Sequence, residues 1–356
     1  MRQFKLLQGD AKDVLKQFND NFFHCCVTSP PYWQLRDYFS DNQLGQEITP
    51  EEYIEKLTII FDEVKRVLRD DGILWVVMGD SYNNNSGFSR AKKEWYRKGR
   101  EGGSADKKVV KHSYIKQKEL FGIPWMLAFA LQKAGWYLRC DIIYNKSNPM
   151  PDGAKDRPTR SHEYIFMFTK SKKYFYDYYS SLEDADKKVD SIQRFGARYQ
   201  EGTYRQDQKR SFEHYGKRNK RSVWNHSVAS FKGKHFAVYS EELIDTCIRV
   251  STSEKGYCPK CKSPWLRILK KNKIVANNKK GYDLKLSKVG WKASCLCNIN
   301  EVEAGIVLDP FCGTSTTGKV SFRYGLDYVG IDTNKNYLKI SKNRLESNDI
   351  FVEQLK

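Results

Sequence analysis

Short apolar runs alternate with helical patterns along this chain, and that rhythm admits few architectures. The runs Phe4 to Leu7, Phe22 to Val27, Ile73 to Met78, Tyr137 to Tyr144, Tyr164 to Phe168, Ile306 to Leu308 and Tyr328 to Ile331 read as buried strands. Between the second and third, Thr49 and Glu52 form a capping-box pattern and Pro50 suits a first helical turn. Tyr53, Leu57, Ile60, Val64 and Leu68 then share one helical face, and Gly72 is expected to end the helix. A second helix is expected from Ile123-Pro124 to just before Gly135, and a third over Glu241 to Val250 behind a Ser240 cap. The pattern implies an α/β fold built on an open, mostly parallel sheet.

Three stretches break the rhythm. Residues 82–111 are rich in Asn, Ser, Gly and Lys and are expected to form a mobile loop at the carboxyl edge of the sheet. Residues 181–221 are polar and basic with interleaved aromatics. There Arg194, Arg198, Arg205, Lys209, Arg210, Lys217 and Arg218 suit phosphate neutralisation, with Phe195, Tyr199, Tyr204, Phe212 and Tyr215 available to stack. The plain alternative is a solvated basic loop. Residues 256–300 carry Cys258-Pro-Lys-Cys261 and Cys295-Leu-Cys297, the pairing of a ribbon-type structural zinc site. A single residue separates the second pair, where two are usual, and the other reading is a loop of reduced cysteines.

Composition narrows the partners. A formal net charge of +19 points to a polyanion: DNA, RNA or an anionic membrane face. No run approaches the roughly 18–20 apolar residues of a spanning helix, and the mean hydropathy is -0.70, so a membrane role loses ground. The amino terminus lacks the apolar stretch of a signal peptide, and nine cysteines without an export signal suit reduced thiols, so a cytoplasmic protein is expected.

Two motifs carry chemistry. Thr28-Ser29-Pro30-Pro31-Tyr32-Trp33 follows directly on a buried strand, in the crevice where open α/β sheets bind ligands. The exocyclic amine of a nucleobase is a poor nucleophile because its lone pair is delocalised into the ring. Two acceptors aimed at the amino hydrogens, here Ser29 Oγ and the Pro30 carbonyl, favour its localisation. Pro30 and Pro31 stiffen the loop so that those acceptors are set in advance. Tyr32 can stack on a base swung out of a duplex, and Trp33 adds to that wall. As a tetrapeptide alone, Ser-Pro-Pro-Tyr is also an ordinary stiff turn. The second motif, Gly305-Ile-Val-Leu-Asp309-Pro310-Phe311-Cys312-Gly313-Thr314-Ser315-Thr316-Thr317-Gly318, reads as strand, tight turn and helix start. The later strand Tyr328 to Ile331 ends in Asp332, placed to hold ribose hydroxyls.

Together these blocks resemble the permuted class of DNA amino-methyltransferases, in which the catalytic loop precedes the cofactor turn and target recognition falls between them. Gly9-Asp10, Ser161-His162-Glu163-Tyr164 and Lys234-His235-Phe236 agree with that pattern, which departs at Ser315, where the family carries glycine. The resemblance implies a Rossmann-like methyltransferase sheet binding S-adenosylmethionine through Asp10, Phe236, Asp309, Phe311, Gly313, Ser315, Thr316 and Asp332. Catalysis is expected from Ser29, Pro30, Pro31 and Tyr32, and a structural zinc on Cys258, Cys261, Cys295 and Cys297. The catalytic half covers residues 1–180, a recognition region 181–221, the cofactor half 222–255 and 301–356, and a ribbon-like insert 256–300. Duplex DNA is the expected partner, with a cognate restriction endonuclease as a separate chain. No Pro-Cys pair is present for methylation at carbon 5 of cytosine. Ser29 resembles the cytosine N4 enzymes, adenine N6 being the alternative. A non-catalytic DNA-binding protein on the same scaffold and an RNA methyltransferase are the remaining readings.

Overall fold

A computed structural model describes residues 3–37, 43–84, 103–104, 110–149, 151–184, 217–227, 239–275 and 282–353. Along the chain the strands are β1 (Phe4–Gln8), β2 (Phe23–Thr28), β3 (Arg36–Asp37), β4 (Leu68–Met78), β5 (Gly103–Ser104), β6 (Tyr137–Lys146) and β7 (His162–Thr169). They continue as β8 (Leu182–Asp184), β9 (Lys217–Asn219), β10 (Val223–His226), β11 (Trp265–Val275), β12 (Tyr282–Ala293), β13 (Ile306–Asp309) and β14 (Asp327–Asp332). The helices are α1 (Ala11–Leu15), α2 (Pro50–Val67), α3 (Ile123–Lys133), α4 (Glu241–Ser251), α5 (Thr316–Arg323) and α6 (Lys335–Glu353).

Among the described residues one eight-stranded sheet runs β1-β14-β13-β2-β4-β7-β6-β10. All its pairings are parallel except those of β7, which is antiparallel to both β4 and β6. From β13 the chain moves outward through α5 to β14, and from β2 it moves the other way through α2 to β4. The order therefore reverses between β13 and β2, and the carboxyl ends of these two strands frame the ligand crevice expected of such a sheet.

Both faces of the sheet are covered, which is why its central strands read as near-continuous apolar runs. Successive residues alternate between the two layers. Cys26, Leu74, Val76 and Phe166 pack with Leu57, Phe61 and Leu127 of α2 and α3. Cys25, Val27, Trp75 and Val77 pack with Ile244, Ile248, Val320 and Phe322 of α4 and α5. All six residues of β2 are buried, so the loop that follows departs from the core.

The α2 cap forms as expected, with the Glu52 N–H donating to Thr49 Oγ1 at 3.3 Å. Its end does not. Gly72 lies within β4, and the helix stops at Val67, with Leu68 opening the strand. The carbonyls of Arg66 and Val67 accept from the N–H groups of Asn21 and Phe22. The last turn is thus satisfied from a neighbouring segment, and no glycine stop is needed.

Among the elements of the main sheet and its helices, α1, β10 and α6 had no expectation in the sequence, while the ribbon-like insert expected over 256–300 contains the β11–β12 pair. The ribbon is a two-stranded antiparallel pair with an irregularity between Ile268 and Leu269. At its root Arg267 bonds Asp177 and Glu254, each at 2.6 Å, and lies over the rings of Tyr179 and Trp291. Tyr257, just before the ribbon, packs against His24 at the start of β2. The ribbon therefore roots at the amino edge of the sheet, opposite the crevice.

The segment leading into the expected recognition region is anchored on that same edge, because Asp177, ahead of β8, donates its N–H to the Val250 carbonyl near the end of α4. The region's centre, residues 185–216, lies outside the described residues, as does most of 82–111. Gly103–Ser104 of the latter pair with Arg36–Asp37 behind the catalytic loop. No helix among the described residues is long and apolar enough to cross a membrane.

Candidate active site

The two motifs meet where β2 and β13 end. Asp309, 1% exposed, closes β13 and points its carboxylate at its neighbours. Oδ1 accepts from Thr28 Oγ1 at 2.7 Å and from the Phe311 N–H at 3.1 Å. Oδ2 accepts from Thr317 Oγ1 at 2.6 Å and from the Tyr239 hydroxyl at 3.1 Å. Burial pushes this carboxyl upward, opposed by hydrogen bonds from Thr317, Thr28, Phe311 and Tyr239. The four donors tie Asp309 to the frame under the cofactor turn. The sequence did not mark Tyr239 and gave Thr28, at the head of its motif, no role, because each role is defined only by a partner across the fold.

The turn itself is tight. Gly313 and Ser315 both sit at positive φ, 50° and 57°. Ser315 thus adopts the left-handed conformation that glycine takes without cost. Its hydroxyl accepts from the Tyr328 phenol at 3.3 Å. From outside, α6 clamps the turn: Ser341 donates to the Gly313 carbonyl, and Arg344 donates to both the carbonyl and the hydroxyl of Thr314.

Asp332 closes β14 and accepts from the Gly313 N–H at 2.9 Å and the Asn334 N–H at 2.7 Å. Burial, helped by Asp309, raises its carboxyl to about 6 against those hydrogen bonds. Beside it the Gly9 N–H donates to the Asp332 carbonyl. Asp10 caps α1 through the Lys12 N–H, its side chain otherwise exposed.

These residues fit a nucleoside with a cationic methionine tail. Thr316 Oγ1, at the first turn of α5, is buried with no hydrogen-bond partner among the described residues. Such an orphan is costly unless a ligand satisfies it. Asp332 offers a carboxylate beside the turn. Gly313 bonds Asp332 directly, Gly9, next to Asp10, bonds the Asp332 carbonyl, and Phe311, Ser315 and Thr316 lie on the same turn as Gly313. Phe236 lies outside the described residues.

The loop that follows β2, expected to be catalytic, starts beside this turn. Pro30 is buried and Ser29 half-buried. The Pro31 carbonyl accepts from the Tyr53 hydroxyl at 2.7 Å, which pins the loop to α2. Tyr32 donates its phenol to Glu163 Oε2 at 2.9 Å, and Lys146 bonds the other oxygen of that carboxylate. Burial and the Glu163 charge push the phenol well above its ordinary value, with the Ser29 hydroxyl opposing them.

Trp33 departs from expectation. It is 2% exposed, donates Nε1–H to the Glu47 carbonyl and meets Phe121 edge to face at 4.7 Å. It belongs to the core behind the loop, because its indole finds both an apolar layer and an acceptor there.

Elsewhere, Cys258, Cys261, Cys295 and Cys297 bring their sulfurs within 4.8 Å of one another. Four thiolates from two turns suit a closed tetrahedral zinc site. Of the basic residues expected to touch DNA, Lys217 and Arg218 are described, and they pair with Asp184 and Glu183. Arg194, Arg198, Arg205, Lys209 and Arg210 lie outside the described residues.

With this geometry established, comparisons with known proteins give the same reading. A family model for N6/N4 methyltransferases, described as DNA methylase, matches residues 23–259 and 295–343. The gap between the two matched parts falls on the ribbon. The Type II methyltransferase M.XycI of Xanthomonas campestris pv. cyanopsidis is 38% identical over 97% of this chain and 89% of its own. Two solved structures share the fold. The PvuII DNA methyltransferase, titled cytosine-N4-specific, has a TM-score of 0.55 at 14% identity, covering 96% of this chain and 85% of that one. A putative DNA modification methylase from Thermus thermophilus, complexed with S-adenosyl-L-methionine, has a TM-score of 0.50 at 21% identity, covering 96% and 93%.

Proposed function

This chain belongs to the N6/N4 DNA methylase family, and from that premise we propose that it methylates the N4 amine of cytosine in duplex DNA at a specific site. It would serve as the modification arm of a restriction-modification system, beside an endonuclease carried on a separate chain. The Type II designation of M.XycI supports that setting.

S-adenosylmethionine supplies an electrophilic methyl group on a sulfonium, which becomes a neutral thioether when the methyl leaves. Asp332 would hold its ribose hydroxyls, and Gly313, Ser315 and Thr316 would lie against its methionine part. Phe311 and Asp10 would line the same crevice, with Phe236 a further contact. Asp309 would hold the turn in shape and join it to Thr28. Across the crevice, Tyr32 would stack on the target base turned out of the helix. Ser29 Oγ and the Pro30 carbonyl would accept the two amino hydrogens, favouring a localised lone pair directed at the methyl group. Pro31, fixed by Tyr53, would keep those acceptors in place, so little reorganisation is needed at the moment of transfer. Residues 181–221, through Arg194, Arg198, Arg205, Lys209, Arg210, Lys217 and Arg218, would contact the DNA backbone. The four cysteines would close a structural zinc site at the root of the ribbon.

The single observation that carries cytosine over adenine is Ser29 as the side-chain acceptor at the head of the loop. A hydroxyl is a weaker acceptor than the carboxylate of an aspartate. The test is mass spectrometry of nucleosides from unmodified duplex DNA incubated with the protein and S-adenosylmethionine. N4-methylcytosine is expected. N6-methyladenine would overturn the choice of amine while leaving the enzyme class intact, and unmodified DNA would overturn both.

A further inference from the structure

The carboxylate of Glu163 bridges two groups that no sequence pattern joins. One oxygen takes the Tyr32 phenol at 2.9 Å and the other takes the Lys146 ammonium. Lys146 is the last residue of β6 and Glu163 the second of β7, adjacent antiparallel strands whose register pairs Tyr144 with Glu163 and Asn145 with His162. Both side chains are mostly buried, 24% and 18% exposed. The same ring is confined from the side by the end of β4. A Cβ added at Gly79 would lie 2.7 Å from Tyr32 Cε2 and 3.2 Å from Glu163 Oε1, so the backbone itself forms that wall. At the loop's own backbone, the Pro31 carbonyl is held by Tyr53. The aromatic ring is thus fixed at its hydroxyl tip, along its edge and at its root.

We propose that Glu163, held by Lys146, is a positioning residue that sets the plane of the Tyr32 ring and so the place of the target base opposite Ser29. This rests on the reading of Tyr32 as the stacking wall. A phenol hydrogen-bonded at its tip loses the freedom to tilt about its side-chain torsions, and a ring placed in advance leaves less to arrange when the base arrives. Lys146 has a matching part. A bare carboxylate beside a crevice that admits a polyanion would repel it, and the ammonium cancels that charge while keeping the acceptor.

The experiment compares the full-length wild type with Glu163→Ala, Glu163→Gln, Tyr32→Phe and the double variant Tyr32→Phe/Glu163→Ala. Label transfer from S-adenosylmethionine to unmodified duplex DNA is followed at saturating substrates, with KM for DNA and calorimetric affinity for the cofactor measured alongside. Glu163→Ala is expected to lower kcat on the order of a hundredfold, the cost of a misplaced reactant, with KM and cofactor affinity within about twofold. Glu163→Gln should recover most of the loss, because its amide oxygen still accepts from the phenol. Tyr32→Phe should lose what Glu163→Ala loses, and the double variant should fall no further, since both remove the same bond.

Unchanged kcat in Glu163→Ala, no recovery with Gln, or an additive double variant overturns the proposal. A change confined to KM or cofactor affinity overturns it as well. A wild type that transfers no label to DNA would overturn the methyltransferase reading itself, a result distinct from any of these.

Discussion

Thr28 Oγ1 lies 2.7 Å from Asp309 Oδ1, a buried hydrogen bond that joins the last residue of the strand ahead of Ser29 to the last residue of the strand ahead of the cofactor turn. Spanning 281 positions of sequence, it sets the spacing between the two halves of the crevice. Thr28→Val keeps the shape and removes the donor. Asp309 retains its bonds from Thr317, Tyr239 and Phe311, so the loss should be about 0.5–1.5 kcal/mol of stability, the net worth of one intramolecular hydrogen bond. Urea unfolding of the two proteins measures it. An unchanged midpoint would mean that this bond contributes nothing to holding the strands together.

Asp332 gives a pH prediction for cofactor affinity. Its carboxyl is raised to about 6, chiefly by burial, and only the ionised form can accept from two ribose hydroxyls at once. Affinity for S-adenosylmethionine should therefore be full well above pH 6 and fall as the pH drops through about 6. Asp332→Asn should weaken binding by about 1.5–3 kcal/mol, the worth of hydrogen bonds to a charged group, and remove the pH dependence over this range. Calorimetry at pH 7.5 and 5.0 tests both statements, and equal affinities in the wild type at the two values would take Asp332 out of the site.

The legible part of this molecule was the part governed by local pattern. The strands before Ser29, Asp309 and Asp332 were visible because burial on both faces leaves continuous apolar runs, and each places its motif at the carboxyl end where ligands bind. Trp33 was misread because nothing in Pro-Pro-Tyr-Trp says which way the indole turns once the loop leaves the strand. The Glu47 carbonyl and Phe121 decide that, and neither is adjacent in sequence. Gly72 looked like a helix stop because the capture of the α2 carbonyls by Asn21 and Phe22 is a tertiary event. The ribbon-like insert was legible from its cysteine pairs, but its two strands were not, because Lys270, Lys271, Asn272 and Lys273 break any apolar alternation. A two-stranded pair is marginal by itself, and Arg267 clamps this one at its root.

That clamp is testable through the metal. The protein purified without chelator is expected to carry a single zinc on Cys258, Cys261, Cys295 and Cys297, measurable by atomic emission. Because ligand binding at such a site is folding free energy, on the order of 10 kcal/mol in small zinc domains, stripping the metal should expose the ribbon to protease. The root of the ribbon lies at the amino edge of the sheet, away from Asp332, so cofactor affinity should survive the treatment. Protein lacking zinc while its ribbon resists digestion would dispose of the metal site.

His24 ties the same edge of the sheet together and makes stability depend on pH in a defined direction. Its Nδ1 accepts from the Ile306 N–H at 3.0 Å, and its ring packs at 3.9 Å against Tyr257. Burial, with smaller contributions from Arg69 and Lys262, pushes the imidazole down to about 3. An unfolded histidine titrates near 6.5. Between these values the unfolded chain binds a proton that the folded chain refuses, so the contribution of His24 is complete above about pH 6.5 and is lost as the pH falls, by about 1.4 kcal/mol per unit. The raised carboxyl of Asp332 works in the opposite sense over part of this window, which makes the wild-type slope alone uninformative. His24→Asn isolates the term, since the asparagine Oδ1 can accept from Ile306 in place of Nδ1 and does not titrate. Between pH 6.5 and 5.0 the wild type should lose about 2 kcal/mol more stability than His24→Asn in urea unfolding. Parallel curves for the two proteins would show that His24 is already protonated in the folded state or reaches solvent there.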